Sequence, residues 1–257
     1  MVSEVKVLVL RAPGTNCDRE MAEAFELAGG SPRIVHINEL LSGSVSLADY
    51  RILGLPGGFS YGDDLGAGKV QANELRLRLF EKLTGFMERA GLIIGVCNGF
   101  QVLIKTGILP GPPSPELPRV TLTGNDSGRF ECRWVNLTAD TGNNCVWTAG
   151  IDRLEVPVAH GEGKLAAAPG MVARLRPVFR YADADGKPTD VYPANPNGAL
   201  DNIAALTDTT GRVFSLMPHP ERYIRASQHP LWTRQAVDEP GAGLRIFRNG
   251  VEEARRS

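Results

Sequence analysis

Short apolar runs alternate with helical periodicity along the N-terminal half of the chain, which predicts βαβ units built on a parallel sheet. Val5 to Leu10 reads as a buried strand. A helix is expected from about Asp18, with Met21, Ala24, Phe25 and Ala28 on one face and Gly29 at its end. Arg33 to Ile37 and Ile52 to Leu55 read as further strands. Ala72 to Ala90 reads as the longest helix, its buried stripe formed by Leu75, Leu79, Leu83, Phe86 and Met87. Leu92 to Val96 has no polar residue at all, as a central strand covered on both faces requires. A short helix, Phe100 to Thr106, follows it and stops at Gly107.

The second half is patterned differently. Residues 110 to 118, PGPPSPELP, carry five prolines and can be neither helix nor interior strand, so they read as a surface connection. Strand-like material resumes at Val120. Phe130 to Leu137, Leu154 to Val158, Val172 to Tyr181 and Val213 to Met217 read as strands of a mixed region. Tyr192 to Gly198 is turn chemistry, and Leu244 to Ala254 is a closing helix. With no repeat and no linker-like break, residues 1–257 are expected to form one domain.

Bulk properties narrow the function by exclusion. The formal net charge of −1 supplies no positive field to hold a polyanion, so nucleic acid is not an expected partner. No apolar stretch approaches the roughly 20 residues that span a bilayer, and the start lacks the pattern of a signal peptide; a cytoplasmic chain is expected. The four cysteines, Cys17, Cys97, Cys132 and Cys145, form no C-x-x-C pair, and the four histidines lack the i, i+4 spacing of a helical zinc site. No metal is expected, and Cys17, Cys132 and Cys145 are assigned structural roles.

Cys97 is different. Gly95-Val-Cys97-Asn98-Gly99-Phe-Gln101 joins the apolar strand to the short helix, the strand–nucleophile–helix elbow in which two glycines permit a sharp turn. The helix N-terminus favours a thiolate and offers the Asn98 amide to an oxyanion. Met217-Pro-His219-Pro-Glu221 also follows a strand, and in extended backbone residues two apart point the same way, so Glu221 can orient the His219 imidazole. After a third strand, Pro56-Gly57-Gly58-Phe59-Ser60 lets backbone approach a ligand, and the Gly58 amide suits a second oxyanion donor. Motifs at the carboxyl ends of several parallel strands are where an α/β crevice site belongs.

The G-x-C-x-G-x-Q elbow with a downstream His-Pro-Glu resembles the class I (triad) glutamine amidotransferases. More narrowly, the chain is similar to the glutaminase subunits of phosphoribosylformylglycinamidine synthases. The blocks that carry this are Pro13 to Asp18, Pro56 to Asp63, Cys97 to Gln101, Asn125 to Cys132, Ala159 to Gly163, Tyr192 to Gly198 and Met217 to Arg222. The resemblance implies a flavodoxin-like open, mostly parallel sheet with helices on both faces. It implies a Cys97–His219–Glu221 triad that hydrolyses glutamine, with Gln101, His160 and Gly161 lining the glutamine pocket. It further implies a large synthetase subunit, a small accessory subunit, and no cofactor in this chain, ATP and Mg2+ acting on the synthetase. The Arg11-Ala-Pro-Gly-Thr opening, the long proline-rich segment and the extended tail after Arg222 depart from the family pattern. From the residues alone Gln101 could equally face solvent. A stand-alone Cys-elbow hydrolase or peptidase, a subunit serving another synthetase, and a non-catalytic interaction protein stay open as alternatives.

Overall fold

The computed structural model describes residues 4–114, 116, 119–237 and 239–257; Pro115, Leu117 and Pro118 of the proline-rich run lie outside the described residues. The first strand, β1 (Lys6–Arg11), is followed by α1 (Asp18–Leu27), β2 (Ser31–His36), α2 (Ile37–Ser42) and β3 (Ile52–Leu55). Next come α3 (Lys69–Arg78), α4 (Phe80–Glu88), β4 (Leu92–Val96) and α5 (Asn98–Lys105). The remainder is β5 (Val120–Thr123), β6 (Glu131–Ala139), β7 (Arg153–His160), β8 (Lys164–Ala167), β9 (Pro177–Ala182), β10 (Ile203–Thr207), β11 (Val213–Leu216) and α6 (Leu244–Arg256).

Nine strands form one sheet in the order β2-β1-β3-β4-β11-β10-β9-β6-β7. The five from β2 to β11 are parallel to one another, the order of a flavodoxin-like sheet. From β11 outward the pairings become antiparallel. The parallel half needs cover on both faces and gets it. Gly54 of β3 faces Met21 and Phe25 of α1, whereas Gly95 of β4, registered with Leu55, faces Leu103 of α5. On the first face Phe25 stands edge-on to both Phe247 of α6, at 5.0 Å, and Trp147, at 6.4 Å. On the second, α3 packs on α5. A separate two-stranded ribbon, β5 with β8, lies against α5 and carries the loops at 124–130 and 160–163.

Two expected elements are corrected. The long helix is two: Leu79 leaves helical geometry (φ −129°, ψ 6°) and separates α3 from α4. The buried stripe continues through Leu75, Leu79, Leu83 and Phe86, so both halves still face the core. The strand expected from Val172 begins instead at Pro177; Val172–Arg174 is a 3-10 turn with no buried residue. Among the described residues no helix is long and apolar enough to cross a membrane.

Two helical glycines give opposite expectations for one substitution. A Cβ on Gly250 in α6 would lie 2.2 Å from Cζ3 of the fully buried Trp147. Gly250→Ala should therefore cost about 1–3 kcal/mol in urea unfolding. A Cβ on Gly85 in α4 meets nothing nearer than 3.6 Å, so Gly85→Ala should stabilise by about 0.5–1 kcal/mol through the unfolded chain's entropy. The same sign for both would contradict the packing described.

Candidate active site

β4 ends at Val96, and its ladder runs one residue further: the Cys97 N–H donates to Leu216 O at 2.8 Å. Cys97 then turns the chain at φ 51°, ψ −105° and caps α5, whose Phe100 and Gln101 amides donate back to Cys97 O. The strained residue is the cysteine itself. The flanking glycines act through space, not through φ: a Cβ on Gly99 would lie 2.0 Å from Leu55 O, and one on Gly95 would lie 2.6 Å from Ser215 Oγ. Absent side chains there let α5 sit directly on β3 and β4.

The turn after β11 lies across this carboxyl edge. His219 N–H is anchored on Pro157 O of β7 at 2.8 Å, and His219 Nδ1 meets Glu221 Oε1 at 2.6 Å with both side chains buried. Both His219 Nε2 and Glu221 Oε2 are buried with no hydrogen-bond partner among the described residues. Burial pulls the His219 pKa down, but the Glu221 carboxylate and the Cys97 sulfur outweigh it and hold the imidazole well above its usual value. Gly57 marks where these groups converge. A Cβ there would lie 2.8 Å from His219 Cε1, 3.3 Å from Cys17 Sγ and 3.4 Å from Cys97 Cβ.

The two expected amide donors are placed at the same edge. Gly58 forms an isolated bridge with Thr15. The bridge uses the amides of Phe59, to Gly14 O, and Asn16, to Gly57 O, and leaves that of Gly58 out. The Asn98 amide opens α5 one residue after Cys97. The 57–68 loop is fastened over α5 by the Asn98 side chain. Its Oδ1 accepts from the Ser60 amide at 3.3 Å, and its Nδ2 donates to Asp63 Oδ1 at 3.1 Å and to Gln101 Oε1 at 3.0 Å.

Gln101 is therefore not a helix-surface residue: it is buried, and its Nε2 donates to Glu162 O at 2.6 Å. His160 ends β7 and interacts electrostatically with His219, Gly161 follows it, and Cys97 Sγ points to Ala159 O at 3.6 Å. Asn125 organises that segment. Its amide donates to Arg129 O and His160 O, while its Oδ1 accepts from the Gly163 amide and meets His160 Nδ1. Burial, and then the charge on His219, push His160 down to about 4, so it is neutral wherever His219 is charged at ordinary pH.

Cys132 is exposed, and burial raises the Cys145 thiol to about 11. Cys17 is not a bystander: its sulfur, His219 and Glu221 offer ligand atoms within 4.8 Å of one another. Of these groups, Glu221 Oε1 is engaged on His219 Nδ1 and the Cys17 sulfur accepts from the Arg222 guanidinium. Nothing local in the sequence signals this cluster, nor the part of Asn125, which lies in a block carried only by resemblance. Two open surface depressions, of about 710 and 760 Å3, are lined by residues 138–146 and 148–153 and by a set running from Gly150 to Glu252. Neither includes Cys97, His219 or Glu221, and Cys97 is only 5% exposed.

The CobB/CobQ-like glutamine amidotransferase domain family matches residues 4–252. The phosphoribosylformylglycinamidine synthase subunit PurQ of Dehalococcoides mccartyi is 57% identical over 99% of this chain and 100% of its own length. The chain belongs to the PurQ family of glutamine amidotransferases. The structure of PurLQS from Thermotoga maritima is similar at 32% identity with a TM-score of 0.74, covering 98% of this chain and 99% of that one. A glutamine amidotransferase from the same organism, at 17% identity with a TM-score of 0.58 over 99% of this chain and all of its own, shares the fold.

The neutral His160 yields a pH dependence. Unfolding restores its ordinary pKa of 6.5, so between pH 6.5 and about 4 the unfolded chain binds the extra proton. Stability therefore falls as pH drops through that window, by about 3 kcal/mol in all. His219, raised in the folded state, has the opposite sign and loses its contribution only above pH 6.5. In urea unfolding at stepped pH, His160→Gln should flatten the slope between pH 6.5 and 4 by about one proton; an unchanged slope would contradict the assignment.

Proposed function

We propose that this chain is the glutaminase subunit of a phosphoribosylformylglycinamidine synthase, acting as one domain over residues 1–257 in the cytoplasm. The observation that carries the reading is the placement of Cys97: a cysteine forced to positive φ at the N-terminus of α5 beside the buried His219–Glu221 pair. The names of the relatives set out above supply the substrate class and the assembly.

The chemistry follows from the residues. The Cys97 thiolate attacks the side-chain carbonyl carbon of glutamine, and the oxyanion that forms is met by the amides of Gly58 and Asn98. His219, holding the thiol's proton and steadied by Glu221, delivers it to the leaving nitrogen. Ammonia departs and leaves a γ-glutamyl thioester on Cys97. His219 then takes a proton from water as water attacks the thioester, and glutamate leaves with the thiolate restored. Gln101, His160 and Gly161 border the space beside Cys97, where the glutamine side chain enters.

The ammonia is consumed on the large synthetase subunit, which uses ATP and Mg2+ to convert formylglycinamide ribonucleotide to formylglycinamidine ribonucleotide; a small accessory subunit completes the complex. The alternative of a stand-alone hydrolase accounts for the elbow but not for 57% identity along the whole length of a named synthase subunit.

Cys97→Ala in the reconstituted complex should abolish glutamine-dependent amination, a loss of about a million-fold where triad members act as a unit. Amination fed by ammonium salts should persist, because the synthetase site is elsewhere. Equal loss of both activities would contradict this division of labour, and retained glutamine hydrolysis would remove Cys97 as nucleophile.

A further inference from the structure

The triad accounts for one of the two cysteines at this site. Cys17 is 1% exposed, precedes α1, and is 205 residues from the guanidinium that reaches it: Arg222 Nη2 donates to Cys17 Sγ at 3.0 Å. The thiol also donates, to Asn16 Oδ1 at 3.2 Å. A neutral thiol can make both contacts at once, with its proton on Asn16 and a lone pair toward Arg222. Cys17 thus sits between a cation and the catalytic imidazole, across the notch at Gly57.

Topology gives this contact a task. The turn carrying His219 and Glu221 starts from β11 and crosses the carboxyl ends of β4 and β3 toward α1. Its near end is fixed by the Met217 amide on Ala204 O and the His219 amide on Pro157 O. At its far end, Arg222 closes the 3-10 turn Pro220–Arg222, and its side chain reaches Cys17 at the start of α1. Resting on the glutaminase reading of Cys97 and His219, we propose that Cys17 and Arg222 are positioning residues for that reaction, a thiol–guanidinium clasp that holds the His219–Glu221 turn in register with Cys97.

The clasp is electrostatic as well as mechanical. The groups facing His219 are Glu221 on its own turn, Cys97 at the start of α5, Cys17 at the start of α1 and His160 at the end of β7, with Arg222 behind Cys17. His160 is neutral, so the cation brought to this side of the site is Arg222, held on Cys17. Its guanidinium interacts electrostatically with Cys97, and the Cys17 sulfur that it contacts faces His219.

The test uses the reconstituted complex and three variants: Cys17→Ala, Cys17→Ser and Arg222→Met. Cys17→Ala and Arg222→Met should lower kcat for glutamine hydrolysis by about ten- to a hundredfold, the scale of a misplaced catalytic group, with KM for glutamine unchanged. Cys17→Ser should retain most activity, because a hydroxyl can accept from Arg222 and donate to Asn16. Arg222→Met should also displace the pH profile of kcat/KM, since a charge that interacts with Cys97 is gone. Amination fed by ammonium salts should match wild type in all three, which reports an intact complex. Wild-type kcat in Cys17→Ala, a wild-type pH profile in Arg222→Met, or Cys17→Ser no better than Cys17→Ala would overturn the proposal. So would equal loss of glutamine- and ammonium-fed amination in Cys17→Ala and Arg222→Met, which marks a purely structural role. A Cys97→Ala control that still hydrolysed glutamine would instead remove the glutaminase reading on which the proposal rests.

Discussion

Cys97 adopts backbone angles, φ 51° and ψ −105°, that a residue with a side chain takes only under constraint. Such a conformation costs about 1–3 kcal/mol and persists only where the surroundings over-determine it. Here the constraint is the junction of β4 with α5. The amide of Cys97 is still in the ladder with β11, its carbonyl already accepts from α5, and Gly95 and Gly99 let the helix press onto the two central strands. The sulfur is left at the sheet's carboxyl edge and at the positive end of a helix. Each other part of the site is arranged around that one position.

The sheet explains how distant segments reach it. Parallel strands deliver all their carboxyl ends to one edge, so the loops after β1, β3, β4 and β11 meet there although they lie far apart in sequence. The antiparallel extension contributes from the side: β7 ends at His160, and the β5–β8 ribbon holds the 160–163 loop against Gln101 through Glu162. Asn98 serves both directions. Its amide opens α5 one residue after Cys97, and its side chain ties the 57–68 loop to Gln101.

The reach of sequence reasoning varied with how local the signal was. The strand–cysteine–helix elbow, the His-Pro-Glu pair and the central strands are local patterns, and each lies at or near its expected bounds. A helix break at Leu79 could not be read, because the apolar stripe keeps its period on both sides of it. β10, Ile203–Thr207, escaped notice as a short, alanine-containing run after turn-rich sequence. β5 begins at Val120, where strand-like material resumes, whereas the four residues of β8 are too few for alternation to stand out. The contact between Cys17 and Arg222 has no local signature at all; only the sheet's topology brings them together. The glycines of the elbow were legible as glycines, but their reason, close approach of α5 to Leu55, is tertiary.

The central claim is that the Cys97 sulfur takes the glutamyl group. The direct measurement is rapid acid quench of the complex during turnover with isotopically labelled glutamine, followed by peptide mass spectrometry. The account predicts a labelled γ-glutamyl thioester on the peptide containing Cys97, with none on those containing Cys17, Cys132 or Cys145. Label on another cysteine, or turnover with no covalent adduct under conditions that trap a thioester, would contradict it.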